Sequence, residues 1–385
     1  MNFIEATYLV EGIKEESLKD FSENLALHLS IGGWGEIPSS KRKEYRKFTG
    51  KVIDAVYSEK KGLIKVALPV VIFEHRVSSI FSILAGKLPF MKNVKLIDVD
   101  FPPQFLDHFQ GPKFGINGIR DILGLHHEPL LMTTIYPASG LSLKDFEEEF
   151  FKHASGGSDI VKDSEIYFDD SFAPFEKRIE IALKKSEEAE SITGRKTLYV
   201  PLLKGNVDEI LKKAEIGVSL GIKGFLIDGF SYSFELLQYL SEKFDAFLVI
   251  SQLLVPQSVS SSLLLGKLVR LAGADIVIFP SYYTGIPHTD VMEISENLRS
   301  EWESINMSFP APTGGLIPKK IKEAFDDFGS QTVFNLDGDV YKHPDGVFAG
   351  VKAFRDGLDC ILSGVSLDEC RLASPELDKA LKEWE

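Results

Sequence analysis

A lysine and a glutamate stand three positions apart at the end of one short apolar run. The run Asp159–Lys162 is followed by Asp163, Ser164 and Glu165. Carboxylate oxygens are the ligands that a hard divalent ion such as Mg²⁺ prefers. A lysine beside them either pairs with Glu165 or becomes a carbamate, which is an anionic ligand. The residues alone therefore leave two interpretations open, a structural Lys–Glu pair at a rim and a magnesium site.

A pair of glycines follows a later run. Thr313-Gly314-Gly315 presents backbone N–H groups that no side chain covers. Successive free amides of this kind form concave sites for anions. The alternative interpretation is a loop that uses glycine only because its backbone needs a positive φ.

The runs that carry these residues belong to a repeating pattern. Short apolar runs recur about every 29 residues from position 129 onward, and each is followed by a helical stretch, which is the length that a strand, a loop and a returning helix require. The runs are Pro129–Tyr136, Asp159–Lys162, Thr197–Leu203, Gly224–Ile227, Ala246–Ser251, Ala274–Phe279, Ser308–Ala311 and Gln331–Leu336. Eight such units predict a (β/α)₈ TIM barrel, whose active site is built at the carboxyl ends of its strands.

The helices between the runs have clear amphipathic spacing. They are Leu143–His153, Phe175–Thr193, Asn206–Leu220, Ser233–Lys243, Leu263–Ala272, Asp290–Ile305, Ile317–Phe328 and Ala349–Leu362. A doubly wound open sheet has the same alternation and is the second choice. No GxGxxG, GxxxxGK[ST], HExxH or GxSxG motif is present, so the best markers of the dinucleotide fold, the P-loop, the zincins and the hydrolase elbow are missing.

The first part of the chain has a different pattern. Strand-like alternation covers Phe3–Val10, Lys51–Tyr57, Gly62–Pro69 and Val94–Phe101, with helical spacing over Ser17–His28 and Ser78–Ala85. This order predicts an α+β layer of the ferredoxin-like kind. We therefore expect an N-terminal domain over residues 1–118 and the barrel with C-terminal helices over 119–385.

Composition limits the function classes. The chain of 385 residues has a formal net charge of −14, which argues against nucleic acid or an anionic membrane as the main partner. No apolar stretch is long enough to span a bilayer, and the N-terminus lacks the basic region of a signal peptide. The two cysteines, Cys360 and Cys370, are too few for a disulfide framework. We expect a cytoplasmic protein in which both are unreacted thiols.

Ordered motifs along nearly the whole chain resemble the RuBisCO large-chain family. The strongest are Gly111-Pro112-Lys113-Phe114-Gly115-Ile116, Gly118-Ile119-Arg120 and Pro129-Leu130-Leu131-Met132. Others follow in order, among them Gly156-Gly157-Ser158-Asp159-Ile160-Val161-Lys162-Asp163, Gly273-Ala274-Asp275, Phe279-Pro280-Ser281 and His343-Pro344-Asp345-Gly346. Within the family, the chain resembles more closely the RuBisCO-like proteins of the 2,3-diketo-5-methylthiopentyl-1-phosphate enolase type.

The resemblance implies an activity, a cofactor and an assembly. Such a protein removes a proton next to a carbonyl and stabilises the enediolate on Mg²⁺. The metal is held by a carbamylated lysine, formed from CO₂, together with an aspartate and a glutamate, which places Lys162 and Glu165 among the ligands. The resemblance also implies a homodimer whose sites are shared across the interface, with Trp34 supplied by the neighbour. Thr313, Gly314, Gly315 and Gly338 then bind the substrate and its phosphate.

Several positions depart from the family pattern. Ser164 replaces the ligand aspartate, so we expect weak Mg²⁺ binding. Tyr136 replaces the lysine that ends the first barrel strand, and a tyrosine with its ordinary pKa of ~10 is a poor base at pH 7. Ala138 replaces a second lysine, and Gln252 replaces a histidine. Asp337 and Asp339 flank Gly338 where glycines are expected, and we expect their carboxylates to cap the local amides and reject phosphate.

These observations support one leading function and two alternatives. The first is enolase- or isomerase-type chemistry on a small sugar-derived, methionine-salvage-like substrate, with Lys162, Tyr136 and Glu165 as catalytic residues and no carboxylation. The second is a member that has lost catalysis and serves as a binding or regulatory protein. The third is a changed chemistry, in which Tyr136 or Asp337 acts on a different, unphosphorylated substrate.

Overall fold

Two sheets organise the chain in the computed structural model, which describes residues 3–167, 171–229, 231–251, 255–285 and 290–384. The first is a four-stranded sheet, and the second is an eight-stranded sheet. The first sheet corresponds to the predicted N-terminal α+β layer, and the second corresponds to the predicted barrel.

The elements of the N-terminal part are β1 (Phe3–Glu11), α1 (Glu15–Ser30), α2 (Arg42–Tyr45), β2 (Lys51–Ser58), β3 (Lys61–Pro69), α3 (Val77–Ala85) and β4 (Val94–Asp100). The sheet is antiparallel throughout, with the strand order β2-β3-β1-β4. In β1, the alternate residues Ile4, Ala6, Tyr8 and Val10 are buried, because successive side chains of a strand point to opposite faces. The predicted ferredoxin-like α+β layer is confirmed.

The eight strands of the second sheet are short and almost wholly buried. They are β5 (Leu130–Thr134), β6 (Ile160–Lys162), β7 (Leu198–Val200), β8 (Gly224–Asp228), β9 (Phe247–Ser251), β10 (Ile276–Pro280), β11 (Phe309–Thr313) and β12 (Val333–Asp337). The pairs are parallel, and an isolated parallel bridge between Leu202 and Leu226 joins β7 to β8. The sheet therefore closes on itself, and the barrel prediction is confirmed.

Helices connect and surround these strands. They are α4 (Pro103–Leu106), α5 (Gly115–Leu123), α6 (Leu143–Gly156), α7 (Phe175–Thr193), α8 (Val207–Leu220), α9 (Phe234–Lys243), α10 (Ser261–Leu263), α11 (Val269–Leu271), α12 (Val291–Arg299), α13 (Ile321–Phe328), α14 (Val347–Leu362), α15 (Leu367–Cys370) and α16 (Pro375–Glu383). A π-helical segment, Leu264–Leu268, joins α10 to α11. The predicted domain boundary between residues 118 and 119 falls inside helix α5. The boundary stays a prediction.

One predicted helix is too long. The spacing over Asp290–Ile305 suggests a single helix, but α12 ends at Arg299. The buried Arg270 explains the end, because its guanidinium donates to the carbonyl oxygens of Asn297, Ser300 and Ile305 at 2.8–3.0 Å. Because the helix ends there, the chain can place all three carbonyl oxygens around the Arg270 guanidinium.

The expectation for the cysteines is wrong. Cys360, near the end of α14, and Cys370, at the end of α15, form a disulfide bond across ten residues. The sequence gives no spacing motif for this pair. The turn between the two helices brings them together, with their Cα atoms 6.3 Å apart, which is within the range that a disulfide spans.

No helix in the described ranges is long and apolar enough to cross a lipid bilayer.

Candidate active site

Lys162 is the last residue of β6 and lies at the carboxyl end of the barrel. It stands in register with Thr134 on β5 and Val200 on β7. Its side chain has no solvent exposure, and its Nζ donates to Glu165 Oε1 at 2.9 Å. The structure thus brings together the lysine and the glutamate that the sequence singles out, as a buried ion pair.

The charge on Lys162 controls the ionisation of Glu165. Burial by itself raises the pKa of Glu165, but the charge of Lys162 and the hydrogen bond from it outweigh that effect and lower the pKa below its ordinary value. Glu165 is therefore an anion at neutral pH. Breaking this pair would leave a buried charge without a partner, which is strongly unfavourable.

Asp163, between these residues, faces another partner. Its carboxylate accepts hydrogen bonds from Arg178 Nη1 at 2.5 Å, the Tyr199 hydroxyl at 2.7 Å and the Leu202 N–H at 2.9 Å. These three donors lie on α7, on β7 and just beyond the end of β7. Asp163 is a structural residue that fixes the loop after β6.

The ligand set for Mg²⁺ is incomplete. A carbamate on Lys162 and the Glu165 carboxylate would supply two anionic ligands, but Ser164 offers only a neutral hydroxyl in place of the third. Within the described part of the chain, no three His, Cys, Asp or Glu side chains lie close enough together to hold a metal ion. The residues present do not match the ligand set that the resemblance implies.

Tyr136 lies just beyond β5, and its hydroxyl is 3.4 Å from Asp337 Oδ1. Burial, followed by the negative charge of Asp337, raises the pKa of Tyr136 to about 12, although a hydrogen bond with Ser164 lowers it in part. The hydroxyl keeps its proton at neutral pH. Tyr136 is therefore suited to donate a hydrogen bond or a proton and is a poor base.

A buried network holds the Tyr136 backbone. The Tyr341 hydroxyl accepts from the Tyr136 N–H at 3.0 Å and lies 3.2 Å from the Tyr136 carbonyl oxygen. The same hydroxyl is 3.0 Å from His153 Nε2 and 3.2 Å from Glu149 Oε2. Side chains from α6 and from the segment after β12 thus fix the chain at the point where β5 ends.

The phosphate-binding candidates lie on the neighbouring strand ends. The Thr313 hydroxyl accepts from Asn335 Nδ2 at 2.9 Å, and the Gly314 carbonyl oxygen accepts from the Ser281 hydroxyl at 2.7 Å. A Cβ at position 315 would collide with the carbonyl oxygen of Tyr283. A close approach of two loops therefore requires Gly315 to be glycine.

The expected capping by Asp337 and Asp339 is wrong. The 3₁₀ turn Asp339–Lys342 follows Gly338 and has no side-chain cap. Asp337, in a left-handed backbone conformation with φ 46°, faces Tyr136, and Asp339 Oδ1 accepts from Lys342 Nζ at 2.5 Å. Asp337 thus contacts the Tyr136 hydroxyl and Asp339 contacts the Lys342 ammonium, and neither carboxylate caps the turn. Gly338 lies against the Tyr136 ring, where a Cβ would be 3.1 Å from Cε2.

A second lysine lies at this end of the barrel, and sequence reasoning assigned it no role. Lys204, four residues beyond β7, donates to the Glu165 carbonyl oxygen at 3.2 Å and lies 3.9 Å from Asp228 Oδ2 at the end of β8. Burial lowers the pKa of Lys204, and the charges of Asp228 and Glu165 offset this only in part. Its position after the third run was visible in the sequence, but no family motif marks it.

Buried polar atoms on three barrel strands have no hydrogen-bond partner among the described residues. They are the Thr134 hydroxyl oxygen on β5, the Ser251 hydroxyl oxygen on β9 and Asn335 Oδ1 on β12. Buried polar atoms are nearly always satisfied, so an exception calls for an explanation such as a ligand or water. The signal in the sequence was a polar residue inside an apolar strand.

One predicted site residue, Trp34, is not brought into this cluster. Trp34 lies in a 3₁₀ turn of the N-terminal domain, and its carbonyl oxygen accepts from Arg42 Nη2 at 2.9 Å and from the Ile37 N–H. These hydrogen bonds stay within residues 34–42. Gln252 lies outside the described residues.

The structure combines a ferredoxin-like N-terminal domain with a barrel that has a buried lysine and glutamate at its strand ends. This combination defines the class of protein. The family model for the ribulose bisphosphate carboxylase large chain, catalytic domain, matches residues 115–255 and 287–384. The model for the N-terminal domain of the same chain matches residues 3–105. The chain belongs to the RuBisCO large-chain family.

Within that family, the chain is similar to proteins named as enolases. It is 34% identical to the 2,3-diketo-5-methylthiopentyl-1-phosphate enolase of Geobacillus kaustophilus, over 100% of this chain and 98% of that one. Among solved structures, a RuBisCO-like protein of Alicyclobacillus acidocaldarius is 30% identical with a TM-score of 0.92, each chain covered completely. The dimeric archaeal RuBisCO of Hyperthermus butylicus is 28% identical with a TM-score of 0.89, over 100% of this chain and 96% of that one.

Proposed function

We propose that the chain catalyses an enolase-type reaction without carboxylation, on a small diketone phosphate of the kind named for its relatives in methionine salvage. In such a reaction the C–H bond next to a ketone breaks, a C=C bond forms and the carbonyl oxygen gains a proton. The reaction needs no oxidant or reductant. The observation that carries the proposal is the group of polar side chains at the carboxyl end of the barrel, around the buried Lys162–Glu165 pair.

Each side chain in this group has a distinct role. Tyr136 donates a proton to the substrate oxygen, because its raised pKa keeps the hydroxyl protonated at neutral pH. Asp337, 3.4 Å from that hydroxyl, accepts the carbon-bound proton as a general base. Lys162 and Glu165 form a buried ion pair that holds two opposite charges in fixed positions in the site. Catalysis by positioned acids and bases of this kind contributes about 10²–10⁴-fold.

The remaining binding and assembly predictions belong to the same proposal. Thr313, Gly314, Gly315 and Gly338 bind the substrate and its phosphate, and Trp34 completes the site from the neighbouring copy of a homodimer. Mg²⁺ binds weakly, because Ser164 removes one of three anionic ligands. We place the protein in the cytoplasm, where the substrate class is a soluble metabolite.

Hydrogen exchange at the reacting carbon tests the proposal. The purified protein is mixed with 2,3-diketo-5-methylthiopentyl 1-phosphate in D₂O, and NMR follows loss of the C–H signal and appearance of the enol. We expect turnover by the natural chain and a loss of about 10²-fold or more in kcat for Tyr136→Phe. Tyr239→Phe, an exposed tyrosine on α9, is the matched control and keeps full activity. Absence of exchange in the natural chain contradicts the proposal.

The second candidate is a protein that binds such a metabolite without converting it. The closed Lys162–Glu165 pair and the neutral Ser164 favour it, because both depart from a metal-binding enolase site. Calorimetric binding of the same diketone phosphate without any hydrogen exchange in D₂O would identify this function.

A further inference from the structure

The glycine pair after β11 offers two backbone amides to an anion. Within the described part of the chain, neither the Gly314 N–H nor the Gly315 N–H donates a hydrogen bond. Both residues are half-buried and have positive φ, 87° and 71°. Successive free amides of this kind bind anions, and they bind most tightly when the protein fixes them before the ligand arrives. The contacts that fix this pair therefore decide how well it holds a phosphate.

The segment that follows β10 packs against both glycines. The Ser281 N–H donates to the Thr313 carbonyl oxygen at 2.8 Å, and the Ser281 hydroxyl donates to the Gly314 carbonyl oxygen at 2.7 Å. The Tyr283 carbonyl oxygen occupies the space that a Cβ of Gly315 would need. The position of the glycine pair therefore depends on the position of residues 281–283.

A carboxylate on α13 holds this segment in turn. Asp327 accepts hydrogen bonds from the Tyr283 hydroxyl at 2.5 Å and from the Tyr282 hydroxyl. Burial, followed by the hydrogen bond to Asp327, raises the pKa of Tyr282 to about 12 and raises the pKa of Tyr283 as well, so both hydroxyls keep the protons that they donate. The Tyr282 ring also stacks on Phe328, with centroids 6.0 Å apart. We call Tyr282, Tyr283 and Asp327 the tyrosine clasp.

Tyr283 joins the clasp to the glycine pair. Its hydroxyl is bound to α13, and its carbonyl oxygen lies against Gly315. Its side chain is buried, and an aromatic side chain has only two rotatable bonds, so fixing the hydroxyl restricts the backbone. A hydrogen bond to a carboxylate is about twice as strong as one between neutral groups. The charge of Asp327 therefore matters for the position of Gly315.

We propose that Asp327 is a positioning residue for the phosphate group of the substrate. Through Tyr283 it keeps residues 281–283 against Gly314 and Gly315, so that both amides are in place before the substrate binds. This inference rests on the proposed function, because it takes the substrate to carry a phosphate. Asp327 itself does not contact the substrate, and it lies outside the ordered motifs.

Calorimetry with two ligands tests the inference. The ligands are the diketone phosphate and the same diketone with a hydroxyl in place of the phosphate, and Tyr136→Phe is the parent chain because it slows turnover. We expect the parent to bind the phosphate at least about tenfold more tightly than the hydroxyl compound. Adding Asp327→Asn, whose amide has one acceptor oxygen and no charge, or Tyr283→Phe is expected to weaken phosphate binding about tenfold and to leave the other affinity unchanged. Asp327→Glu keeps the carboxylate and recovers part of the loss.

The neighbouring aspartate is the matched control. Asp326 on the same helix is exposed and pairs with Lys322 at 2.6 Å, so Asp326→Asn keeps both affinities. A purely structural clasp would affect both ligands alike. Equal losses for the two ligands in Asp327→Asn, no loss at all, or equal affinities of the parent for both ligands overturn the inference. Matching melting temperatures show that folding is intact, and Tyr283→Phe, which keeps the ring, decides the matter if Asp327→Asn does not fold.

The C–H exchange assay keeps this inference separate from the proposed function. In an otherwise natural chain, Asp327→Asn is expected to raise KM about tenfold with a smaller change in kcat, because the lost phosphate contacts act on substrate and transition state alike. Exchange by the natural chain together with phosphate binding that ignores Asp327 removes the inference alone. Phosphate binding that depends on Asp327 without any exchange supports the inference and replaces catalysis by metabolite binding.

Discussion

At the scale of single residues, the site depends on groups whose ionisation is set by burial. His153 on α6 is fully buried, and its Nε2 meets the Tyr341 hydroxyl that also holds the Tyr136 backbone. Burial, with a smaller contribution from the charge of Lys152, lowers the pKa of His153 to about 3. The native protein therefore keeps this imidazole neutral under conditions where an unfolded chain would protonate it.

This difference makes stability depend on pH. Between pH 6.5 and about 3, the unfolded chain binds a proton at His153 and the native chain does not, so the free energy of unfolding falls as pH falls. The expected slope is about 1.4 kcal/mol per pH unit, or about 2 kcal/mol between pH 6.5 and 5. Urea unfolding of His153→Gln is expected to lack this part of the slope. His126→Gln, an exposed histidine, keeps it, and equal slopes in all three proteins would contradict the assignment.

At the scale of elements, apolar periodicity predicts where strands and helices lie but not where loops touch. Every predicted barrel run overlaps an observed strand, although four of the strands extend one or two residues beyond the run, and α7 has the predicted bounds. The end of α12 was missed because Arg270, a residue distant in sequence, collects its carbonyls. The contact between the loops after β10 and β11 also could not be seen in the sequence. Hydrophobic periodicity shows which face of a strand or helix is buried, whereas both of these contacts involve backbone carbonyl groups.

Two glycines in the loops after β10 and β11 separate the effect of backbone conformation on stability from the effect of close packing. Gly285 and Gly315 both have positive φ, 77° and 71°. Among the described residues, a Cβ at 285 meets nothing within 4 Å, whereas one at 315 collides with the Tyr283 carbonyl. We expect Gly285→Ala to lower the free energy of unfolding by about 1 kcal/mol and Gly315→Ala by about 2–4 kcal/mol, since overpacking adds to it. Urea denaturation measures both, and equal losses would show that the loops separate freely.

At the scale of the whole molecule, the fold was predictable and the site was predictable only in part. Regular alternation and ordered family motifs indicate the barrel and its N-terminal domain. They also identify Lys162, Glu165 and Tyr136, since strand ends are visible as the ends of apolar runs. His153 and Tyr341 were missed because their roles depend on which loops meet in space. The disulfide was missed for the same reason.

The position of Trp34 leads to a prediction about assembly. Within one chain the hydrogen bonds of its carbonyl oxygen stay in residues 34–42. From the family resemblance we expect Trp34 to reach the active site of a second copy in a homodimer. Light scattering at micromolar concentration is then expected to give the mass of two chains. A site shared between copies also predicts that Trp34→Ala and Tyr136→Phe are each impaired but complement each other.

Complementation follows from symmetry. In a mixed dimer of the two variants, one site receives both substitutions and the other receives neither, because each site takes Trp34 from one copy and Tyr136 from the other. Random exchange of copies makes half of the dimers mixed and thus restores about a quarter of the natural activity. The measurement is the rate of C–H exchange in D₂O after the two variants are unfolded and refolded together, with separately refolded variants as the control. A monomeric mass, or a mixture no more active than its components, would show that each chain builds its site alone and that Trp34 has no part in it.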